Sequence, residues 1–154
     1  GCNSDFVKRI KLYASLHDVG KVGLADAVLK KPGKYTKAEY LLMQQHVVIG
    51  SQMLDSNEID GMAKNIALYH HERWDGTGYV HRLKGEAIPL EARIVSIADV
   101  YDALITERIY KEAFSENEVE RIIDEESGRH FDPQLVKIFL NHKYDIRKIK
   151  ETLA

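Results

Sequence analysis

Apolar residues in this chain recur at three- and four-residue spacing instead of alternating, and only 3 prolines and 10 glycines interrupt them. Strands need a period of two, so this pattern restricts the chain to an all-α fold. The first helix is expected over about Asp5 to Leu16, with Ile10, Tyr13 and Ala14 turned inward, stopping near His17-Asp18-Val19-Gly20-Lys21. A short helix, Asp26 to Leu29, ends at the turn signal Lys31-Pro32-Gly33. Thr36 with Glu39 forms a capping box that opens a long helix to about Leu54. A helix from about Ile59 to His71 leads into the polar loop Asp75-Gly76-Thr77-Gly78-Tyr79-Val80, whose glycines permit close backbone approach. Pro89 precedes a helix from Leu90 to Ile105, and Ser115 with Glu118 caps another that runs through Glu126 to a stop at Gly128. Asp132-Pro133 opens a helix ending near His142, and the tail forms one more short helix.

At 154 residues the chain suits one domain with no second. Its 22 Lys and Arg against 24 Asp and Glu leave a formal charge of −2, which argues against DNA or RNA polymers as partners. No apolar run approaches the ~18 residues that span a bilayer, so membrane insertion is not expected. Cys2 is the one cysteine and cannot form an internal disulfide, which suits a reducing compartment; the expected location is the cytoplasm.

The seven histidines are the unusual entry in the composition. On the long helix His46 projects from an apolar half that includes Tyr40, Leu42, Met43, Val47 and Met53, opposite a polar side with Gln44, Gln45 and Ser51. His70 lies in line with Ile59, Ala63 and Ile66, with His71 at the edge of that face. The helix Leu90 to Ile105 is apolar nearly all round yet carries Asp99 and Asp102, and an unpaired buried carboxylate costs several kcal/mol. Taken singly, each histidine reads as a core imidazole bonded to a carbonyl, and each acid as half of an ion pair. Asp102, nearer the flank, keeps that reading. Taken with His17-Asp18, the set His17, Asp18, His46, His70, His71 and Asp99 offers nitrogen and oxygen donors without thiolate, suited to Mn, Fe, Zn, Ni or Mg. So many ligands exceed one tetrahedral ion. A carboxylate can bridge two ions, and a two-metal site activates water and stabilises in-line displacement at phosphorus.

Leu16-His17-Asp18-Val19-Gly20-Lys21-Val22-Gly23, then His46, then His70-His71-Glu72-Arg73-Trp74-Asp75-Gly76-Thr77-Gly78-Tyr79, then Asp99, closely resembles the HD-GYP family of HD-domain metal-dependent phosphohydrolases. The resemblance covers about Gly1 to Ser115 and implies an all-helical HD bundle with the glycine loop over the metal site. It implies hydrolysis of cyclic di-GMP to pGpG or on to GMP, by a hydroxide bridging two or three divalent ions, iron or manganese. Position by position it makes His17, Asp18, His46, His70, His71 and Asp99 metal ligands, with Asp18 the bridge. His17 and Asp99 would share one metal, and His46, His70 and His71 the other. Lys21 resembles the lysine at the scissile phosphate, Tyr79 is the tyrosine of the family loop, and Arg108 and Lys111 resemble the basic pair that holds the substrate's phosphates.

Two positions depart from the family. Val80 stands where it expects proline, and no histidine precedes His17, whereas the family's first metal-binding histidine lies on an upstream helix. Residues 1–154 are therefore expected to form an HD-GYP-like domain without its N-terminal helix, with lowered metal occupancy. The rival readings are a regulatory module that binds a cyclic dinucleotide or a protein and hydrolyses slowly, and an enzyme for cyclic GMP-AMP. The family also suggests an upstream sensory or receiver domain, and a homodimer is compatible with it. Glu72 and Asp75 read as loop-anchoring groups. His81, His130 and His142 read as bystanders, and Tyr69 and Trp74 as core aromatics.

Overall fold

Residues 1–106 and 113–153 are described in a computed structural model of the chain. Five of the helices begin where a side chain accepts from a free N–H group. Asn3 accepts from Phe6 N–H to start α1 (Ser4–Tyr13), which tightens into a 3-10 turn over Ala14–Leu16. A second 3-10 turn, Val19–Gly23, leads to α2 (Asp26–Leu29). The expected Thr36–Glu39 capping box opens α3 (Lys37–Met53). Asp60 caps α4 (Gly61–Tyr69) and also takes the Arg9 guanidinium, which ties α1 to α4. Pro89 precedes α5 (Leu90–Ile105), the Ser115–Glu118 box opens α6 (Glu116–Glu125), and Asp132 caps α7 (Pro133–Asn141). The tail forms α8 (Lys143–Leu153), longer than the short helix expected. No strand occurs among the described residues, which agrees with the all-α expectation.

Two packed zones share α5. On one side Val95 meets Met62 and Ile66 of α4, with Phe6 and Ile10 of α1 laid against them. On the other, Ile97 and Tyr101 join Val119 and Ile123 of α6 and Val136 of α7. A helix buried on two sides must be apolar nearly all round, which is why α5 carries so few polar residues. Arg93 on α5 pairs with buried Asp132 at 2.6 Å, fastening α5 to the start of α7.

Coverage of α3 departs from its apolar periodicity at both ends. Ser51, assigned to the polar side, is buried, whereas Tyr40, Leu42 and Met53, assigned to the apolar half, are exposed. The covered stripe is narrower than the apolar half, running through His46, Val47 and Gly50, and α3 projects beyond the core at both ends.

Candidate metal centre

His17 and Asp18 occupy the junction between the two 3-10 turns, and the second turn lies directly on α3. That contact depends on Gly20. A Cβ at Gly20 would stand 1.9 Å from the His46 carbonyl oxygen and 2.4 Å from Gly50 N. The close crossing of two backbones sets the Asp18 carboxylate beside the His46 ring. α4 ends one residue before His70, so His70 and His71 enter from its C-terminus, and Asp99 enters from α5.

Asp18 faces two ways. Its Oδ1 lies 3.4 Å from His46 Nε2 and 3.9 Å from His70 Nε2. Its Oδ2 lies 3.4 Å from His17 Nε2 and 2.5 Å from Lys21 Nζ. Asp99 Oδ1 stands 3.6 Å from His17 Nε2 on the far side. The His71 ring is 4.0 Å from that of His70 and 5.2 Å from that of His46, centre to centre. One donor atom each from Asp18, His46, His70 and His71 falls within 4.8 Å of the others. All six expected ligands thus converge, in two groups that share Asp18.

The imidazoles are oriented from behind. Nδ1 of His17 lies 2.8 Å from Ala14 O, that of His46 2.7 Å from Met43 O, and that of His70 3.0 Å from Ile66 O. A carbonyl oxygen only accepts, so each Nδ1 carries hydrogen; in a neutral ring this leaves an Nε2 lone pair aimed at the centre. Asp18 Oδ1, His46 Nε2 and His70 Nε2 are all buried without a hydrogen-bond partner. A carboxylate oxygen facing bare imidazole lone pairs is repulsive unless a cation lies between them, and the donor set fits a divalent ion there.

The titration behaviour divides the same way. Burial pushes His46 below the ordinary histidine value, His70 down to about 4 and His71 down to about 3, the neighbouring imidazoles adding to the effect for the last two. All three are neutral at neutral pH. Hydrogen bonds with Asp18 and Asp99 instead push His17 up to about 10. Burial alone would raise Asp18, but the His17 and Lys21 contacts outweigh it and hold the carboxyl well below its ordinary value. Asp99 is lowered chiefly by His17.

The glycine loop closes one side of the centre. Buried Glu72 accepts from His81 N–H at 2.8 Å and Leu83 N–H at 3.0 Å, clamping the loop's far arm. Gly78 lies so close to the His71–Arg73 backbone that a Cβ would sit 2.4 Å from Arg73 N, so only glycine fits. Asp75 anchors the near arm by accepting from Thr77 N–H and Oγ1–H at 2.9 and 2.6 Å. The Tyr79 ring stacks on His71 at 5.0 Å and 26°, and meets Tyr40 of α3 at 6.5 Å and 78°. Burial raises the Tyr79 hydroxyl above its ordinary value, so it stays protonated and able to donate.

Arg108 and Lys111 lie outside the described residues. His81, His130 and His142 stand apart from the cluster: His81 meets Tyr69, His130 stacks on Phe131, and His142 bonds back to Ile138 O. The Gly20–Gly50 crossing and the Tyr40–Tyr79 contact were not foreseen from sequence, because both join segments with no common local pattern.

The HD domain family matches this chain over residues 2–135. The chain belongs to the HD-domain family. A cyclic di-GMP phosphodiesterase of Vibrio cholerae serotype O1 is 51% identical over 142 residues, covering 88% of this chain and 29% of that protein. A 3'3'-cGAMP-specific phosphodiesterase 2 of the same organism is 42% identical over 146 residues, covering 94% of this chain and 28% of the relative. This HD domain therefore spans less than a third of the length of either. The crystal structure of a cyclic GMP-AMP specific phosphodiesterase from V. cholerae superposes with a TM-score of 0.70 at 22% identity, over 95% of this chain and 40% of that one, and shares its fold. Among the described residues no helix is long and apolar enough to cross a membrane.

Proposed function

We propose that this HD domain is the catalytic part of a metal-dependent phosphodiesterase that hydrolyses cyclic di-GMP to pGpG or on to GMP. The observation that carries the reading is the group of buried, unpartnered donors, Asp18 Oδ1, His46 Nε2 and His70 Nε2, facing one another at the mouth of the glycine loop. The names of the relatives point to the same substrate class. His46, His70 and His71 would hold one divalent ion and His17 with Asp99 another, with Asp18 shared; iron or manganese suits these donors. Such ions supply Lewis acidity toward a phosphoryl oxygen and lower the pKa of water.

The remaining work falls to the chain's own groups. Lys21, held against Asp18, offers its ammonium to a non-bridging phosphoryl oxygen, where charge grows as the 3' oxygen leaves in line. The protonated Tyr79 hydroxyl donates to a phosphate oxygen, and stacking on His71 fixes its direction. Arg108 and Lys111 are assigned by resemblance to the substrate's phosphates. Cyclic GMP-AMP is the second substrate reading, favoured by the relative that acts on it. We place the activity in the cytoplasm, downstream of a regulatory domain in a longer chain.

The experiment is turnover of cyclic di-GMP by the protein loaded with Mn(II) or Fe(II), beside an Asp18→Ala variant. Loss of turnover in the variant supports the reading, and equal rates overturn it.

A further inference from the structure

Tyr40 extends the covered stripe of α3 past the end of the core. It lies two turns before Val47, which is fully buried, yet Tyr40 itself is 49% exposed. Its backbone is fixed: the Thr36–Glu39 capping box holds the first turn of α3, and Lys31 pairs with Glu39 at 2.5 Å. Its ring meets that of Tyr79 edge-on at 78°. From Tyr40 a continuous row of rings, through Tyr79 and His71, leads to His70 in the cluster. A half-exposed aromatic side chain beside a phosphate site offers a stacking surface.

We propose that Tyr40 is the platform on which one nucleobase of a cyclic dinucleotide stacks while its phosphate lies at the cluster. This rests on the phosphodiesterase reading above. A phosphate bonded to the Tyr79 hydroxyl has the Tyr40 ring as the next aromatic neighbour, within reach of a base carried one ribose away. Stacking uses the π-face that every base has, so Tyr40 selects for nucleotides over simple phosphodiesters without separating guanine from adenine.

The test uses the Mn(II)-loaded full-length protein with Tyr40→Ala and Tyr40→Phe. For cyclic di-GMP, Tyr40→Ala is expected to raise KM roughly 10-fold with kcat within about twofold, and Tyr40→Phe to restore the original KM. With a hydrolysis-resistant phosphorothioate cyclic dinucleotide carrying 2-aminopurine in place of one guanine, the parent protein and Tyr40→Phe should quench its fluorescence and Tyr40→Ala should not. Unchanged KM and quenching in Tyr40→Ala, or a fall in kcat that Tyr40→Phe fails to rescue, overturns the platform alone. Absence of both turnover and binding in the parent protein overturns the phosphodiesterase reading, and the platform with it.

Discussion

Gly20 and Gly50 meet backbone to backbone, and a Cβ on Gly20 would fall 2.4 Å from Gly50 N. This contact lets the turn that carries Asp18 and Lys21 lie against the helix that carries His46. Gly20→Ala must push the two segments apart, moving Asp18 away from His46. The expected cost is roughly 2–4 kcal/mol, with loss of Mn(II) binding, measured by thermal unfolding and titration calorimetry. A Cβ on Gly50 meets its nearest atom at 3.1 Å, so Gly50→Ala should be the milder change. Equal and small effects in both variants would contradict the assignment.

Divalent metal should stabilise the protein in proportion to how well the cluster binds it. At free Mn(II) of 100 to 1,000 times Kd, folding gains about 3–4 kcal/mol, and a chelator removes that gain. His70→Gln removes a buried donor and should abolish the metal-dependent rise in Tm. A rise that persists in His70→Gln would locate the ion elsewhere.

Glu72 acts on the site through the loop it clamps. Glu72→Ala leaves the His81 and Leu83 N–H groups without their carboxylate, at a cost of roughly 2–4 kcal/mol. Because the loop also carries Tyr79, KM for cyclic di-GMP should rise. Glu72→Gln keeps one oxygen acceptor and should fall between. A Glu72→Ala protein with the original Tm and KM would show that the loop holds without the clamp.

His130 gives the fold an acid sensitivity unrelated to metal. Burial lowers its pKa to about 4 in the folded state, against about 6.5 unfolded, so the neutral ring is favoured in the fold. Stability is fully present above the unfolded value and is lost as pH falls from about 6.5 through 4. The loss amounts to on the order of 3 kcal/mol. Comparing metal-free protein with His130→Gln by urea unfolding across that range should show a shallower pH slope in the variant. Parallel slopes would rule out His130 as the source.

Legibility from sequence was greatest where the physics is local. Thr36 with Glu39, Ser115 with Glu118, and Asp132 before Pro133 satisfy N–H groups within one turn of themselves, and α3, α6 and α7 begin at those residues. The polar residues on apolar faces, His46, His70 and Asp99, were legible for a related reason: without partners their burial is costly, so they announce a shared purpose. Which face of α3 is covered could not be read this way. Ser51 is buried and Tyr40, Leu42 and Met53 are exposed because coverage depends on where neighbouring helices end, which the helix's own period does not encode.

The sequence by itself determined the all-helical class and the capped starts of α3, α6 and α7, and it singled out six residues as candidate donors, because periodicity, capping and the cost of buried polar groups act over a few residues. Only the tertiary structure decided that Asp18 divides its oxygens between His17 and the His46–His70 pair, that Gly78 folds the loop against His71, and that Tyr40 reaches the rim beside Tyr79. Those distances arise from close approaches between segments remote in the chain. They depend on what is missing at Gly20 and Gly78, and a missing side chain leaves no pattern along a single sequence.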